Sequence, residues 1–195
     1  MKTIKVFLLV LFSATSLTLA QTKWVFDKPH TNVGFSVTHL LISEVEGNFK
    51  KFTGSVLTND DNFENALVEF SVDVNSINTG NSKRDNHLKS DDFFNVKKFP
   101  KLVFKSKSFK KVGNNKFKMV GDLTIRGNTK EVELDVKLNG IIKDPWGTTR
   151  AGFRISGEIN RFDFGLKWNK LLEAGGAVVS KEVNIIINAE LKKVS

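Results

Sequence analysis

The sequence predicts an all-β protein of about eight antiparallel strands with one short helix near residues 82–92. Three observations support this fold class. Apolar and polar residues alternate along most of the chain, which is the period of a strand that buries one face. Residues that favour tight reversals separate the alternating segments. The one departure begins at Ser82, where Asp85 three residues later indicates a helix-capping box.

The alternation is clearest over residues 66–74, where Glu69, Ser71 and Asp73 oppose a row of apolar side chains. Further strands are predicted over residues 33–39, 49–56, 102–106, 117–125, 132–138, 151–159 and 183–191. Short links between them favour antiparallel neighbours. Strands with one apolar face either stack as two sheets or close into a barrel, and the alternation alone allows both. Residues 167–180 lack the strand pattern and are predicted to form a loop that covers the mouth of a barrel.

Residues 1–20 are predicted to be a secretory signal peptide, which leaves residues 21–195 as one domain. Lys2 and Lys5 precede an apolar run over residues 6–12, and small residues come before Gln21. That run is shorter than the roughly 18 residues that a membrane-spanning helix needs. The chain has no Cys, which excludes disulfides, thiolate metal sites and Cys nucleophiles. The expected product is soluble, secreted and, in a bacterium, periplasmic.

Composition and charge narrow the classes of partner. The chain has 17 Phe and no Tyr, so its aromatic surface favours apolar packing or apolar ligands. Basic residues outnumber acidic ones by 30 to 21, which indicates a solvated outer face or attraction to anionic lipid headgroups. No basic patch is interleaved with exposed aromatic residues, so nucleic acid is not an expected partner. The absence of Tyr also disfavours a barrel that spans the outer membrane.

The sequence offers no support for catalysis, and we expect neither an enzyme nor a cofactor. The three histidines form none of the close pairs that zinc sites use. His30 and His39 flank a segment predicted as one strand, and their odd spacing would place them on opposite faces unless the strand bulges. No nucleophile elbow and no glycine-rich phosphate loop occurs in the sequence. A metal site is therefore not expected either.

The middle of the chain resembles the YceI-like family. Residues 76–80 read Ser-Ile-Asn-Thr-Gly, residues 84–90 read Arg-Asp-Asn-His-Leu-Lys-Ser, and residues 92–96 read Asp-Phe-Phe-Asn-Val. Matching stations recur at residues 121–127 and 160–165, so the resemblance covers essentially the whole chain after the signal peptide. It implies an eight-stranded, lipocalin-like antiparallel barrel that is secreted to the periplasm. It also implies a long apolar ligand, such as a polyisoprenoid or fatty-acid derivative, held in the lumen, and no catalytic residue.

The resemblance and the alternation together give the candidate ligand-binding residues. His39, His87 and Arg161 match positions that either contact the polar end of the ligand or hold the structure in place, and both roles stay open. The other candidates are apolar or aromatic and would line the lumen or its mouth. They are Phe35, Val37, Phe70, Val72, Leu88, Phe93, Phe94, Phe104, Phe117, Leu123, Phe153, Phe164 and Trp168.

The function predicted from the sequence is a periplasmic carrier for an isoprenoid or acyl amphiphile. The expected partners are that lipid, an anionic membrane surface in transient contact, and a second copy of the chain. Two alternatives remain: an enzyme that acts on the bound lipid through His39 or His87, and a stress-response protein that sequesters the lipid. Small barrels are often filled by their own side chains, so a solid core is the structural alternative to a hollow lumen.

Overall fold

A computed structural model describes residues 21–170 and 178–194. The predicted signal peptide, and residues 171–177 of the predicted loop, lie outside the described residues. In the described part of the chain, no helix is long and apolar enough to cross a membrane. The elements in chain order are β1 (Thr22–Phe26), β2 (Asn32–His39), β3 (Ser43–Phe49), β4 (Phe52–Thr58), β5 (Leu67–Asp73), β6 (Ile77–Asn78), α1 (Ser82–Lys89), β7 (Lys101–Gly113), β8 (Lys116–Ile125), β9 (Asn128–Lys143), β10 (Thr149–Asn160) and β11 (Glu182–Lys193).

The strands close into an antiparallel barrel with eight strand positions. The order is β1-β4-β5-β7-β8-β9-β10-β11, and β1 pairs with β11 to complete the ring. Three positions are each built from two strands in succession: β2 continues β1, β3 runs into β4, and β6 continues β5. The structure thus confirms the all-β barrel that the resemblance implied and decides between the barrel and the sandwich.

Two of these interruptions, the one between β3 and β4 and the one between β5 and β6, lie side by side. A 3-10 turn at Val74–Ser76 follows β5, and Lys50 and Lys51 separate β3 from β4. The backbone N–H of Lys51 donates to Ser76 Oγ over 2.9 Å, and that of Asp73 donates to the Lys51 carbonyl over 2.9 Å. The prediction of one continuous strand over residues 49–56 is therefore wrong, because neighbouring strands bend together at this level of the barrel.

Helix α1 begins one residue earlier than a cap at Ser82 would require. Asn81 is the N-cap, and its side-chain oxygen accepts hydrogen bonds from the N–H groups of Lys83 and Arg84, each over 3.1 Å. Asp85 instead accepts from the backbone N–H and the hydroxyl of Thr79, over 2.9 and 2.7 Å. The predicted capping box is wrong, and the helix ends at Lys89 rather than near residue 92.

One end of the barrel, which we call the closed end, is filled by aromatic packing. Phe63, in the loop between β4 and β5, is 1% exposed. Its ring centroid lies 5.0 Å from that of Trp24 and 4.9 Å from that of Phe153. The indole Nε1 of Trp24 donates to Thr58 Oγ1 over 3.1 Å, which satisfies two buried polar groups. Phe63 therefore plugs this end of the lumen.

The other end, which we call the open end, is built from connections rather than from a plug. It holds α1, the 3-10 turn at Arg161–Phe164, the described ends of the loop before β11, and the tip of the β2–β3 hairpin at residues 40–42. Arg126 joins two of these connections, because its guanidinium donates to the carbonyls of Asp91 and Gly165, each over 2.7 Å.

Candidate functional site

A cavity of about 240 Å³ lies inside the barrel. Its wall includes Phe63 and Phe109 near the closed end, and Arg161 and Val179 near the open end. Among the described residues that line it, Arg161 has the only polar side chain, and the rest are apolar or glycine. The cavity therefore suits an apolar chain and offers one cationic group at one end.

Pairs of phenylalanine and glycine on neighbouring strands keep the lumen hollow. Phe70 lies directly across from Gly54, and its Cδ2 is 2.7 Å from where a Cβ on Gly54 would be. The ring of Phe104 approaches the corresponding position on Gly121 to 2.5 Å. Because neither glycine has a side chain, each ring occupies the space that a Cβ would take. The ring therefore lies along the wall instead of filling the axis of the barrel.

A third pair repeats this arrangement nearer the open end. Phe35 pairs with Gly47 across β2 and β3, and Phe35 Cε1 lies 2.8 Å from the position that a Cβ on Gly47 would take. The three pairs explain how a barrel rich in phenylalanine keeps an open lumen. The register between strands determines which phenylalanine faces which glycine. Because these pairs leave the lumen open, the solid-core alternative does not describe this barrel.

Most of the candidate residues line the cavity. The structure places on its wall Phe35, Val37, Phe70, Val72, Leu88, Phe93, Phe94, Phe104, Leu123, Phe153 and Arg161. Contact between any of them and a ligand stays a prediction.

Two predicted lumen residues lie in packed core instead of on the cavity wall. Phe117 is buried at the closed end with its ring 5.0 Å from that of Phe109. Phe164 belongs to a 3-10 turn rather than to a strand, and it packs with Phe93 and Leu166 in a separate cluster. Period-two alternation does not distinguish a side chain that fills the barrel end from one that faces open space.

His87 and Trp168 support the wall from behind. The His87 ring meets the rings of Phe93 and Trp168 edge-on, with both centroid distances 5.0 Å. Its Nε2 lies 2.8 Å from Asp92 Oδ2. Trp168 packs on Phe93, which does line the cavity. The geometry favours the supporting role for His87 over direct contact with a ligand.

His39 lies at the last position of β2, and it supports the cavity wall through its backbone. It pairs with Val179, which lines the cavity, in an isolated antiparallel bridge. His30 lies in the 3-10 turn before β2, so the two histidines are separated by the full length of that strand.

Arg161 holds both described ends of the loop that precedes β11. Its Nε donates to the Ser180 carbonyl over 2.8 Å, and its Nη2 donates to the Val179 carbonyl over 3.2 Å. Its Nη1 donates to the carbonyls of Leu166 and Trp168. The side chain is 3% exposed, so these backbone bonds replace water. The sequence left two roles open for Arg161, contact with the polar end of a ligand and holding the structure in place. In the structure Arg161 is a pin that holds this loop, and it also faces the cavity.

The charge on Arg161 is not neutralised by a carboxylate in the described part of the chain, since none of the ion pairs found there includes it. Its guanidinium carbon lies 4.7 Å from the centre of the Phe162 ring. Burial lowers the pKa of Arg161 from its usual value. The open end of the cavity is thus the cationic end.

A second polar cluster lies outside the cavity and is held by protein cations. Ligand atoms of Asp27, His30 and Glu190 lie close enough together to hold a metal ion. However, Arg150 Nη1 donates to Asp27 Oδ2 over 2.6 Å and to Glu190 Oε1 over 2.5 Å, and Lys192 Nζ lies 3.0 Å from Asp27 Oδ2. Burial would raise the pKa of Asp27, but hydrogen bonds from His30, Lys192 and Arg150 lower it to about 2. The cluster is an ion-pair network that joins the chain just after β1 to β10 and β11.

Sequence reasoning missed the wall residues that lie outside the clearest alternation. Phe63 is in a loop, where no period indicates burial, and Phe26 lies in β1, which was not among the predicted strands. Val179 reaches the wall because Arg161 holds its carbonyl. The glycine residues opposite Phe35 and Phe70 were present in the sequence, but pairing them required the strand register.

Comparisons with known proteins agree with this geometry. The YceI-like domain matches residues 24–191. A UPF0312 protein of Staphylococcus aureus is 40% identical over 170 residues, which cover 87% of this chain and 96% of the relative. The YceI protein of Campylobacter jejuni is 36% identical, with a TM-score of 0.70 over 87% of this chain and 96% of that structure.

Two more distant structures share the fold. BcnA of Burkholderia cenocepacia is 23% identical, with a TM-score of 0.74 over 85% of this chain and 98% of that one. A polyisoprenoid-binding domain from Saccharophagus degradans, implicated in plant cell wall breakdown, is 14% identical, with a TM-score of 0.66 over 88% of this chain and 98% of that one.

Proposed function

Because the chain belongs to the YceI-like family, with its domain matched over residues 24–191, we propose that it is a lipid-binding protein that holds an apolar chain in its barrel. The observation that carries the proposal is the cavity, whose described wall is apolar or glycine apart from Arg161. A site of this composition gains affinity by removing methylene groups from water and needs no hydrogen bond along the chain.

The energetics of chain burial are sufficient for binding. Each methylene taken from water contributes about 0.8 kcal/mol, so roughly twelve give on the order of 10 kcal/mol before losses. Association entropy offsets several kcal/mol of this gain. A lipid tail somewhat longer than about twelve methylenes therefore reaches micromolar affinity, near −8 kcal/mol.

The proposed ligand is a long-chain amphiphile, either a polyisoprenoid or a fatty-acid derivative, with its polar head at the open end. Arg161 makes that end cationic, and the plug at Phe63 blocks the opposite end. The polyisoprenoid-binding domain of Saccharophagus degradans has the same fold, which supports the proposal at the level of architecture. The proposed role is carriage or sequestration of the lipid in the periplasm, without catalysis.

Native mass spectrometry of protein purified from its own cell envelope, followed by lipid extraction, tests this function. The expected result is a discrete adduct with the mass of an isoprenoid or acyl lipid. Phe104→Asp places a charge on the cavity wall and is expected to remove the adduct, whereas Lys105→Ser, on the outer face of the same strand, keeps it.

Val37→Asn, near the open end, provides a second wall variant in case Phe104→Asp does not fold. Circular dichroism establishes which variants are folded. An unliganded mass for the wild-type protein that persists after incubation with isoprenoid and acyl lipids would contradict the proposal. Folded wall variants that retain the adduct would contradict the assignment of the cavity as the site.

A further inference from the structure

The tip of the β2–β3 hairpin presents three consecutive apolar side chains to solvent. Leu40, Leu41 and Ile42 are 37%, 65% and 85% exposed. Single exposed apolar residues are ordinary on protein surfaces, but three in succession at a projecting turn form a small apolar patch with no polar side chain.

The backbone at this tip is unfavourable for the residues it contains. Leu40 and Leu41 have φ values of 53° and 62°, in the left-handed region that bulky side chains rarely adopt. Phe63 has the same φ of 62°, but its ring is buried against Trp24 and Phe153, which compensates for the strain. Among the described residues, no comparable burial compensates at Leu41.

The tip adjoins the open end of the cavity. The backbone N–H of Leu40 donates to the Val178 carbonyl over 2.9 Å, and His39 bridges to Val179. Val179 and Val37, two residues before His39 on β2, both line the cavity. The tip is therefore attached to the wall at the place where a lipid chain would enter.

The charges beside the tip are mixed. Glu44, which accepts a hydrogen bond from Thr38 Oγ1 over 2.8 Å, is exposed on β3. Lys170 is exposed across the rim, and its carbonyl accepts from the Val178 N–H over 2.9 Å. Since both signs are present, the apolar side chains rather than the charges provide the attraction to a partner.

We infer that residues 40–42 insert into the surface of a lipid bilayer and hold the open end of the barrel against it. A stable protein partner needs about 800 Å² of surface on each side, far more than three side chains supply, whereas a bilayer accepts a small apolar wedge of any shape. A lipid could then pass between bilayer and lumen with its chain shielded from water. This inference rests on the proposed function, since it assigns the surface through which the same lipid is exchanged.

Vesicle co-flotation tests the inference with a matched pair of double variants. Leu41→Ser/Ile42→Ser changes the tip, and Ile142→Ser/Trp146→Ser changes two comparably exposed residues at the β9–β10 hairpin of the closed end, which are 64% and 82% exposed. The probes are vesicles of phosphatidylcholine alone and of an equimolar mixture with phosphatidylglycerol. The tip variant is expected to bind both at least about tenfold more weakly. The closed-end variant is expected to bind like the wild type, and high salt is expected to leave wild-type binding largely intact.

Four outcomes would overturn the inference, three of them in co-flotation and one in sedimentation. The tip variant could bind vesicles as the wild type does, the closed-end variant could lose binding equally, or high salt could abolish wild-type binding. Sedimentation adds a further check, because a wild-type dimer that the tip substitutions convert to monomer would show that a second copy covers the tip. Native mass spectrometry separates this inference from the proposed function. A tip variant that retains its lipid adduct leaves the proposed function standing whatever the vesicle result, whereas a wild-type protein that carries no lipid contradicts the proposed function itself.

Discussion

The loop that carries Phe63 and the tip that carries Leu41 use the same unfavourable backbone for opposite purposes. Both residues have a φ of 62°, but Phe63 is 1% exposed and Leu41 is 65% exposed. Left-handed backbone at a bulky residue costs about 1–3 kcal/mol and persists only where the surroundings compensate. At the closed end the compensation is aromatic packing within the barrel. At the open end we propose that it comes from a bilayer.

The interior of the barrel repeats this division. Towards the closed end, Phe63, Phe109, Phe117 and Trp24 pack against other aromatic rings and fill the space. Along the rest of the lumen, phenylalanine rings lie over glycines on neighbouring strands and leave the axis free. Phenylalanine therefore contributes to a plug or to a channel wall according to what lies across the strand pair.

The largest expected effect is at the plug. Phe63→Ala should lower the free energy of unfolding by about 3–5 kcal/mol, because it removes a buried ring that contacts Trp24 and Phe153. Leu41→Ala, in the same backbone conformation but exposed, should change it by less than about 0.5 kcal/mol. Urea denaturation of both variants measures the difference, and equal losses would contradict the division between the two ends.

The next effect is at the pin of the open end. Arg161→Met should cost about 3 kcal/mol, because carbonyls of the loop before β11 lose their donor. Hydrogen exchange should show lost protection at residues 165–169 and 178–180, with protection retained around Trp24 and Phe153. A uniform loss over the barrel would show that the two ends are not independent.

A smaller effect is expected where glycine keeps the lumen open. Gly121→Ala should cost about 1–3 kcal/mol, since the new methyl group collides with the backbone carbonyl of Lys105 as well as with the ring of Phe104. Displacement of that ring toward the axis should also reduce the amount of lipid that co-purifies. Gly152→Ala is the control, because its Cβ would meet its nearest neighbour, Asn139 Cβ, at an ordinary 3.8 Å. Identical lipid content in the two variants would contradict the role of the Phe104–Gly121 pair.

The smallest effect concerns the ion-pair network outside the cavity. The pKa of Asp27 falls from 3.8 to about 2 in the folded protein, against the opposing effect of its burial, through bonds from His30, Lys192 and Arg150. A lowered carboxyl pKa stabilises the fold above pH 3.8, and that stability is lost as the pH falls toward about 2. Asp27→Asn should flatten this part of the acid-unfolding curve. An unchanged slope would show that Asp27 does not contribute.

The sequence predicted the parts of the fold that a single strand determines. Alternation over residues 66–74 and 183–191 predicted β5 and β11 to within two residues at each end, because one buried face imposes the period on its own strand. It did not predict the break at Lys50 and Lys51, because that break is stabilised by Ser76 and Asp73 on the neighbouring chain segment. The cap at Asn81 was missed because Ser82 is also a residue type that caps helices.

The site could be predicted in its chemistry but not in its shape. Apolar side chains such as Phe35, Phe70 and Phe104 were predicted to line the lumen, and they do line the cavity. The space between them depends on which residue each ring faces across the sheet, which requires the register. Arg161 was left between two roles, since the carbonyls that it holds come from segments up to 19 residues away.

The most direct test of the account is a crystal structure of protein purified with its own cargo. We expect one continuous, extended chain of electron density along the lumen, beginning beside Phe109 and ending with a polar group near Arg161 at the open end. A lumen closed by inward rotation of Phe70 and Phe104, or one filled with ordered water, would contradict the claim that the barrel is a hollow container for a lipid chain.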